Sequence, residues 1–281
     1  MIETKERIKL PMMALRGLTV FPNMAISFPV GRQKSLDALE VADEGDKRIF
    51  LVAQRDPEDA SPEQMGLYEF GTVATIKQIL KLPGNMTHVI VEGVIRGRLE
   101  TVQHKRKCDY VEITTIAQDF PELPEVHTAA EMRIAQDLYE EYAKFVPNTT
   151  AVDLLPNVLA SGKPGKLADV IAAGLEISFD RKQRILEILN PYDRLQAVME
   201  IMRYEQQVLR VKREIEAKTK DAIDKNQREY FLREELKVIQ EELGDKDGIG
   251  ADAAEFHRRL EEKSPPEEVR KTVEKEIDRM M

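Results

Sequence analysis

The stretch that decides the fold is residues 110–142, YVEITTIAQDFPELPEVHTAAEMRIAQDLYEEY, because the hydrophobic period changes inside it. Tyr110 to Ile116 reads as a half-buried strand, with apolar and polar residues alternating. Pro121 and Pro124 close that run, and Met132, Ala135, Leu138, Tyr139 and Tyr142 then recur at three and four, the spacing of one helix face. A chain that is β before this point and helical after it is read as α+β.

Working back from the switch, residues 1–118 form a β-rich domain. Leu18 to Phe21, Ala25 to Val30 and Ile49 to Val52 are short apolar runs separated by Pro22, Gly31, Gly45 and Pro57, and Ser35 to Val41 has the spacing of one short helix. Val73 to Leu82 and Val89 to Ile95 flank Pro83-Gly84-Asn85 and make the clearest hairpin. Gly93 and Gly97 mark bends that curl a small sheet towards a barrel, which Leu99 to Val102 and Tyr110 to Ile116 complete.

Working forward, residues 121–190 read as a helical bundle. Val152 to Leu159 and Leu167 to Leu175 follow the first helix, and Asp180 N-caps a fourth with the stripe Ile185, Leu186, Ile188 and Leu189. After Asn190-Pro191 neither Pro nor Gly occurs until Gly244, so 191–243 is expected to be one helix, roughly 78 Å long at about 1.5 Å per residue. Its middle, Glu216 to Glu229, offers little to bury. Apolar residues return at Tyr230, Phe231, Leu232, Leu236, Ile239 and Leu243, four of them on one face, so this end is a candidate docking or assembly surface. Residues 244–281 read as a loop and short helices. Ser264 is the expected N-cap with Pro265 at the first helical position, and Glu267 completes a capping box. The last helix runs into Met281 without a stop signal, and the chain is expected to be a fragment.

Composition narrows the function classes. No apolar run approaches the roughly 18 residues of a membrane span. The charged first ten residues give no secretory signal, and the single cysteine, Cys108, closes no internal disulfide, which together point to the cytoplasm. A net charge of −9, carried by the second half, argues against binding nucleic acid through its phosphates. Gly165-Lys166 lacks the upstream glycine and the following hydroxyl of a phosphate loop. No serine sits in a nucleophile elbow, and the four histidines have no ligand-spaced partners. His104 and Cys108, four strand residues apart, are about 13 Å from each other, so Cys108 is expected to be a semi-exposed structural residue. Arg96, Arg98 and Lys105-Arg106-Lys107 read as a solvated basic face. Neither catalytic residues nor ligands for a metal or cofactor are expected.

What stands out is apolar material in exposed positions. Phe21, Pro22 and Met24 fall in a loop, and Met86 falls at the hairpin tip, where unstructured apolar chain could be touched. The competing reading, that Phe21 is core and Met86 incidental, stays open.

Several strings resemble the bacterial Lon protease family: Leu15-Arg16-Gly17, Val20-Phe21-Pro22-Asn23-Met24, Val30-Gly31-Arg32-Gln33-Lys34-Ser35, Glu92-Gly93 with Arg96, and the run Asn226 to Gly244. Ala14 departs from the proline usual before Leu-Arg. The resemblance covers the chain in order and implies a β domain of the pseudouridine-synthase-associated type, a helical bundle and a long helix leading to an AAA-class ATPase. It implies a non-catalytic region that recognises unfolded or damaged protein substrates and assembles a homohexamer. ATP, Mg and a Ser-Lys dyad would then belong to the remainder of a cytoplasmic protease that degrades misfolded and short-lived regulatory proteins. Because the same fold type also serves RNA recognition, RNA binding is the rival reading. The near-neutral first 120 residues oppose it. A free-standing coiled coil fails, since the heptad positions 195, 202, 209 and 216 read Leu, Met, Leu, Glu.

Overall fold

The computed structural model describes residues 6–59, 61–83, 86–116, 124–146, 149–242, 248–263 and 265–280. Its compact units are residues 1–211 and 212–281.

In the first unit a mixed six-stranded sheet is built from β1 (Arg7–Leu15), β2 (Ala25–Val30), β3 (Arg48–Ala53), β4 (Phe70–Leu82), β5 (Met86–Gln103) and β6 (Tyr110–Thr115). The strand order is β2-β5-β4-β3-β1-β6, and β6 also pairs with β5, so five strands close on themselves while β2 stands outside. The 18-residue β5 makes this possible. One of its edges serves β2 along Thr87–Glu92 and β6 along Gly97–Gln103, while the other carries β4. Register shifts between Val73 and Ala74 and between Ile76 and Gln78 bend the β4–β5 ribbon, as bulges do. The helix α1 (Gln33–Glu44) carries the chain from β2 to β3, which runs parallel to β1, and buries Ala38, Leu39 and Ala42.

The sequence reading is corrected in places. Leu18 to Phe21 is loop, and the first strand is β1, whose central residues from Leu10 to Met13 are buried. Leu99 to Val102 is the far end of β5 rather than a separate strand, because the bulge absorbs the bend without breaking the ladder. Cys108 is fully buried, and burial pushes its thiol pKa up. Arg96 is buried too, whereas Arg98 does meet Glu69 on the surface at 2.5 Å.

The helices of this unit are α2 (Glu125–Phe145), α3 (Thr149–Asp153), α4 (Leu155–Leu159), α5 (Pro164–Gly174), α6 (Phe179–Glu187) and the first part of α7 (Pro191–Glu242). The single helix expected over 152–159 is two, since Pro156 lacks an N–H and its ring crowds the preceding turn. Ser178 rather than Asp180 occupies the N-cap of α6, and Asp180 lies in the first turn. The bundle core does not stop at 190, because Leu195, Val198, Met199 and Met202 of α7 are part of it. Gly174 ends α5 against Tyr139, where a Cβ would lie 2.1 Å from the hydroxyl. That hydroxyl donates to the Ala151 carbonyl at 3.0 Å.

In the second unit α7 continues to Glu242, followed by α8 (Gly248–Lys263) and α9 (Glu267–Met280). Pro265 precedes the helix instead of opening it, and the Pro266 carbonyl accepts from Val269 and Arg270. Ser264 and Leu243 lie outside the described residues.

Candidate functional site

The loop from Arg16 to Met24 is held from both sides. Gly17 and Asn23 take positive φ values of 60° and 61°, turns that glycine and asparagine tolerate. On the sheet side, Thr72 donates to the Val20 carbonyl at 2.6 Å, Asn23 N–H to the Gly93 carbonyl at 2.8 Å, and Gly93 N–H to the Met24 carbonyl at 2.9 Å. Gly93 allows this approach, for a Cβ there would lie 2.2 Å from the Phe21 carbonyl oxygen. On the helix side, Thr19 donates to the Phe179 carbonyl at 3.3 Å, and the Phe21 ring enters the bundle core.

Of the four residues expected to contact substrate, Phe21 and Pro22 are therefore buried. Phe21 is only 1% exposed, which corrects the exposure argument made for it, since a loop anchored between two layers contributes to the core. Met24 is half-buried and lines an apolar cavity of about 250 Å³ whose walls include Leu18, Ile26, Leu154 and Ile177. Met86 opens β5 opposite Leu82, and its side chain lies outside the described residues. The structure thus brings Phe21 and Met24 to one groove. The sequence reading missed Lys182, which lines the same groove and donates at 3.0 Å to the Ala173 carbonyl. Burial lowers its pKa, with the Glu176 carboxylate acting in the opposite sense.

A buried charge cluster ties the sheet to the bundle. Asp169 of α5 accepts from Arg96 of β5 at 2.5 and 2.9 Å, and Arg194 Nε of α7 stands 3.0 Å from the same carboxylate. Arg96 Nε also donates to the Leu186 carbonyl at 2.9 Å, and Arg194 Nη1 reaches Leu189 at 3.1 Å. Burial, followed by the charge of Arg96, pulls the Arg194 pKa down to about 10, while Asp169 works against both, so the guanidinium stays charged at neutral pH. Gln183 adds a further tie to the Phe70 carbonyl at 2.9 Å. These contacts fasten β4 and β5 to α5, α6 and α7. One signal in the sequence could have found the cluster: Asp169 interrupts an otherwise apolar run from Leu167 to Ile171, and a buried carboxylate demands a partner.

The other sequence candidates lie on the distal part of α7. Tyr230, Phe231, Leu232, Leu236 and Ile239 are 48–70% exposed, so no described residue of this chain buries them. Among the described residues no helix is long and apolar enough to cross a membrane.

The fold of this partly closed sheet and helical bundle is similar to that of two solved domains. They are the N-terminal domain of the Mycobacterium avium complex Lon protease (TM-score 0.54, 17% identity, 69% of this chain and 98% of that one) and a Lon N-terminal domain protein from Xanthomonas campestris (TM-score 0.50, 15% identity, the same coverage). At that identity the likeness defines the fold class. Residues 9–204 match the ATP-dependent protease La (LON) substrate-binding domain, and the chain belongs to that family. Curated relatives include Lon proteases of Brevibacillus choshinensis, 38% identical over 278 residues, and Bacillus thuringiensis, 37% identical over the same length. The alignments take in 99% of this chain but only 35% and 34% of those proteins, so the chain spans about a third of their length.

Proposed function

We propose that this chain is the non-catalytic substrate-recognition and oligomer-assembly region of a cytoplasmic ATP-dependent protease of the LON type, one that degrades misfolded and short-lived regulatory proteins. The observation that carries the reading is the match of residues 9–204 to a substrate-binding domain, within which the apolar groove beside Met24 lies. Residues 1–118 are the substrate-engaging domain, 121–190 the helical bundle packed on it, the long helix of 191–243 carries assembly through its exposed distal face, and 244–281 lead towards an ATPase domain. ATP and Mg belong to that remainder, and this chain needs no cofactor. Its clients are unfolded or damaged proteins, and its assembly partner is a further copy of itself, six in the whole protease. The net charge of −9 weighs against nucleic acid as a partner.

Each apolar contact contributes little, about 0.8 kcal/mol per CH₂ removed from water, so one copy binds weakly and a ring of copies gains by effective concentration. The test is capture of a heat-unfolded client against its native form by the unsubstituted chain and by its Met24→Ser variant. The expected result is preference for the unfolded client, reduced by the substitution without a change in thermal melting. Equal capture of both forms would contradict the reading.

A further inference from the structure

Lys182 is an unusual lining for an apolar groove. It shares the walls with Leu18, Ile26, Leu154, Ile177 and Phe179. An ammonium carries three donors, and among the described residues this one donates to the Ala173 carbonyl in the last turn of α5. Among the described residues it enters no ion pair, and the carboxylate felt at a distance, Glu176, is on an exposed residue. A cation in apolar surroundings favours a carboxylate joined to apolar substance.

The second feature is the outer edge of β2, which has β5 as its one neighbour in the sheet. Because Gly93 N–H donates to the Met24 carbonyl, the alternation of an antiparallel ladder turns the peptide groups of Ile26 and Phe28 towards β5. The N–H and C=O of Ala25 and Ser27 then lie on the outer edge, and Pro29, which has no N–H to leave unpaired, takes the next outward position. Ala25 and Ile26 belong to this edge and also line the groove. An extended chain pairing along β2 would therefore run directly beside it.

We infer that the groove receives the C-terminal end of an extended apolar polypeptide, with its α-carboxylate on Lys182 Nζ, its last apolar side chain between Leu18, Met24, Ile26 and Leu154, and its backbone along the edge of β2. At about 250 Å³ the groove is smaller than the roughly 300–1,000 Å³ of drug-sized sites, which suits a chain end. A fatty acid would supply the same charge and apolar tail but no amides for Ala25 and Ser27. The inference rests on the substrate-engaging reading above and specifies which part of a client is held.

The test uses the whole 281-residue chain and a fluorescein-labelled decapeptide ending in Leu-Val-Leu, made once with a free carboxylate and once as the carboxamide, with decanoate as competitor. The acid should bind about tenfold tighter than the amide, the scale of one hydrogen bond to a charged group. Lys182→Gln should abolish that ratio and Lys182→Arg should retain it. Ala25→Trp, at an exposed residue on the groove rim, should weaken both forms. Lys182 also caps α5, so the readout is the acid-to-amide ratio, which a purely structural role leaves unchanged. If Lys182→Gln fails to fold, the ratio in the unsubstituted chain and the Ala25→Trp result decide. Equal binding of acid and amide, or a ratio that survives in folded Lys182→Gln, overturns the site. Decanoate competing as strongly as the peptide acid overturns the peptide assignment. Capture of heat-unfolded client without an acid preference sinks this inference alone, whereas loss of both sinks the substrate-engaging reading as well.

Discussion

Leu195, Val198, Met199 and Met202, in the first turns of α7, are buried in the bundle core, whereas Ile215, Ile223, Leu232 and Leu236 further along the same helix are more than half exposed. The first region is helical because packing rewards it. The second has helix propensity and surface ion pairs such as Lys212–Glu216 at 3.8 Å and Arg233–Glu229 at 3.3 Å, each worth about 0.3–0.5 kcal/mol. The same contrast separates the buried cluster around Asp169 from those surface pairs. Secondary structure is uniform along the helix, and the energy that maintains it is not. A proximal turn is part of a core, and a distal turn is a surface available to a partner.

The widest gap is expected between ion pairs. Asp169→Ala leaves two buried guanidinium groups without their shared carboxylate and should cost about 3–5 kcal/mol in urea denaturation of the first unit. Glu229→Ala, on the exposed part of α7, should change stability by no more than about 0.5 kcal/mol. Comparable losses at the two sites would end the comparison. Next, Leu195→Ala should cost about 2–5 kcal/mol through lost burial and the cavity left behind, while Ile223→Ala stays within about 0.5 kcal/mol in the same assay. A large cost at Ile223 would mean that another copy covers the middle of α7 at the concentration used. Smaller again is Gly174→Ala, which should cost about 1–3 kcal/mol by forcing the Tyr139 hydroxyl off its place. Paired with Tyr139→Phe, the loss should shrink, since the clashing oxygen is gone.

Much of this was readable from local pattern. The change of period around Pro121 and Pro124 separates β6 from α2, the Pro83-Gly84-Asn85 turn announces the β4–β5 hairpin, and the absence of Pro and Gly after Pro191 announces α7. What stayed hidden depends on contacts between residues distant in the chain. The sequence leaves Phe21 open between an exposed loop residue and a core one, because its burial is decided by helices that begin a hundred residues later. Arg96 reads as surface charge because Asp169, its partner, is 73 positions away. The β1 strand was obscured by the charges of Arg7 and Lys9 and by Pro11, which lies in a parallel and antiparallel junction where β1 passes from β6 to β3. The groove follows the same rule. Met24 could be named from composition, while Lys182 and Leu154 come to it only through the packing of the bundle.

On the proposed reading the first unit, and not the exposed middle of α7, meets unfolded client. A photo-crosslinking residue placed singly at Met24 or at Ile223 and irradiated with a heat-unfolded or a native client tests it directly. Adducts are expected from position 24 with the unfolded client, few with the native one, and little from position 223 with either. Adducts from position 223 that match or exceed those from position 24, or no adducts from position 24 at all, would contradict it.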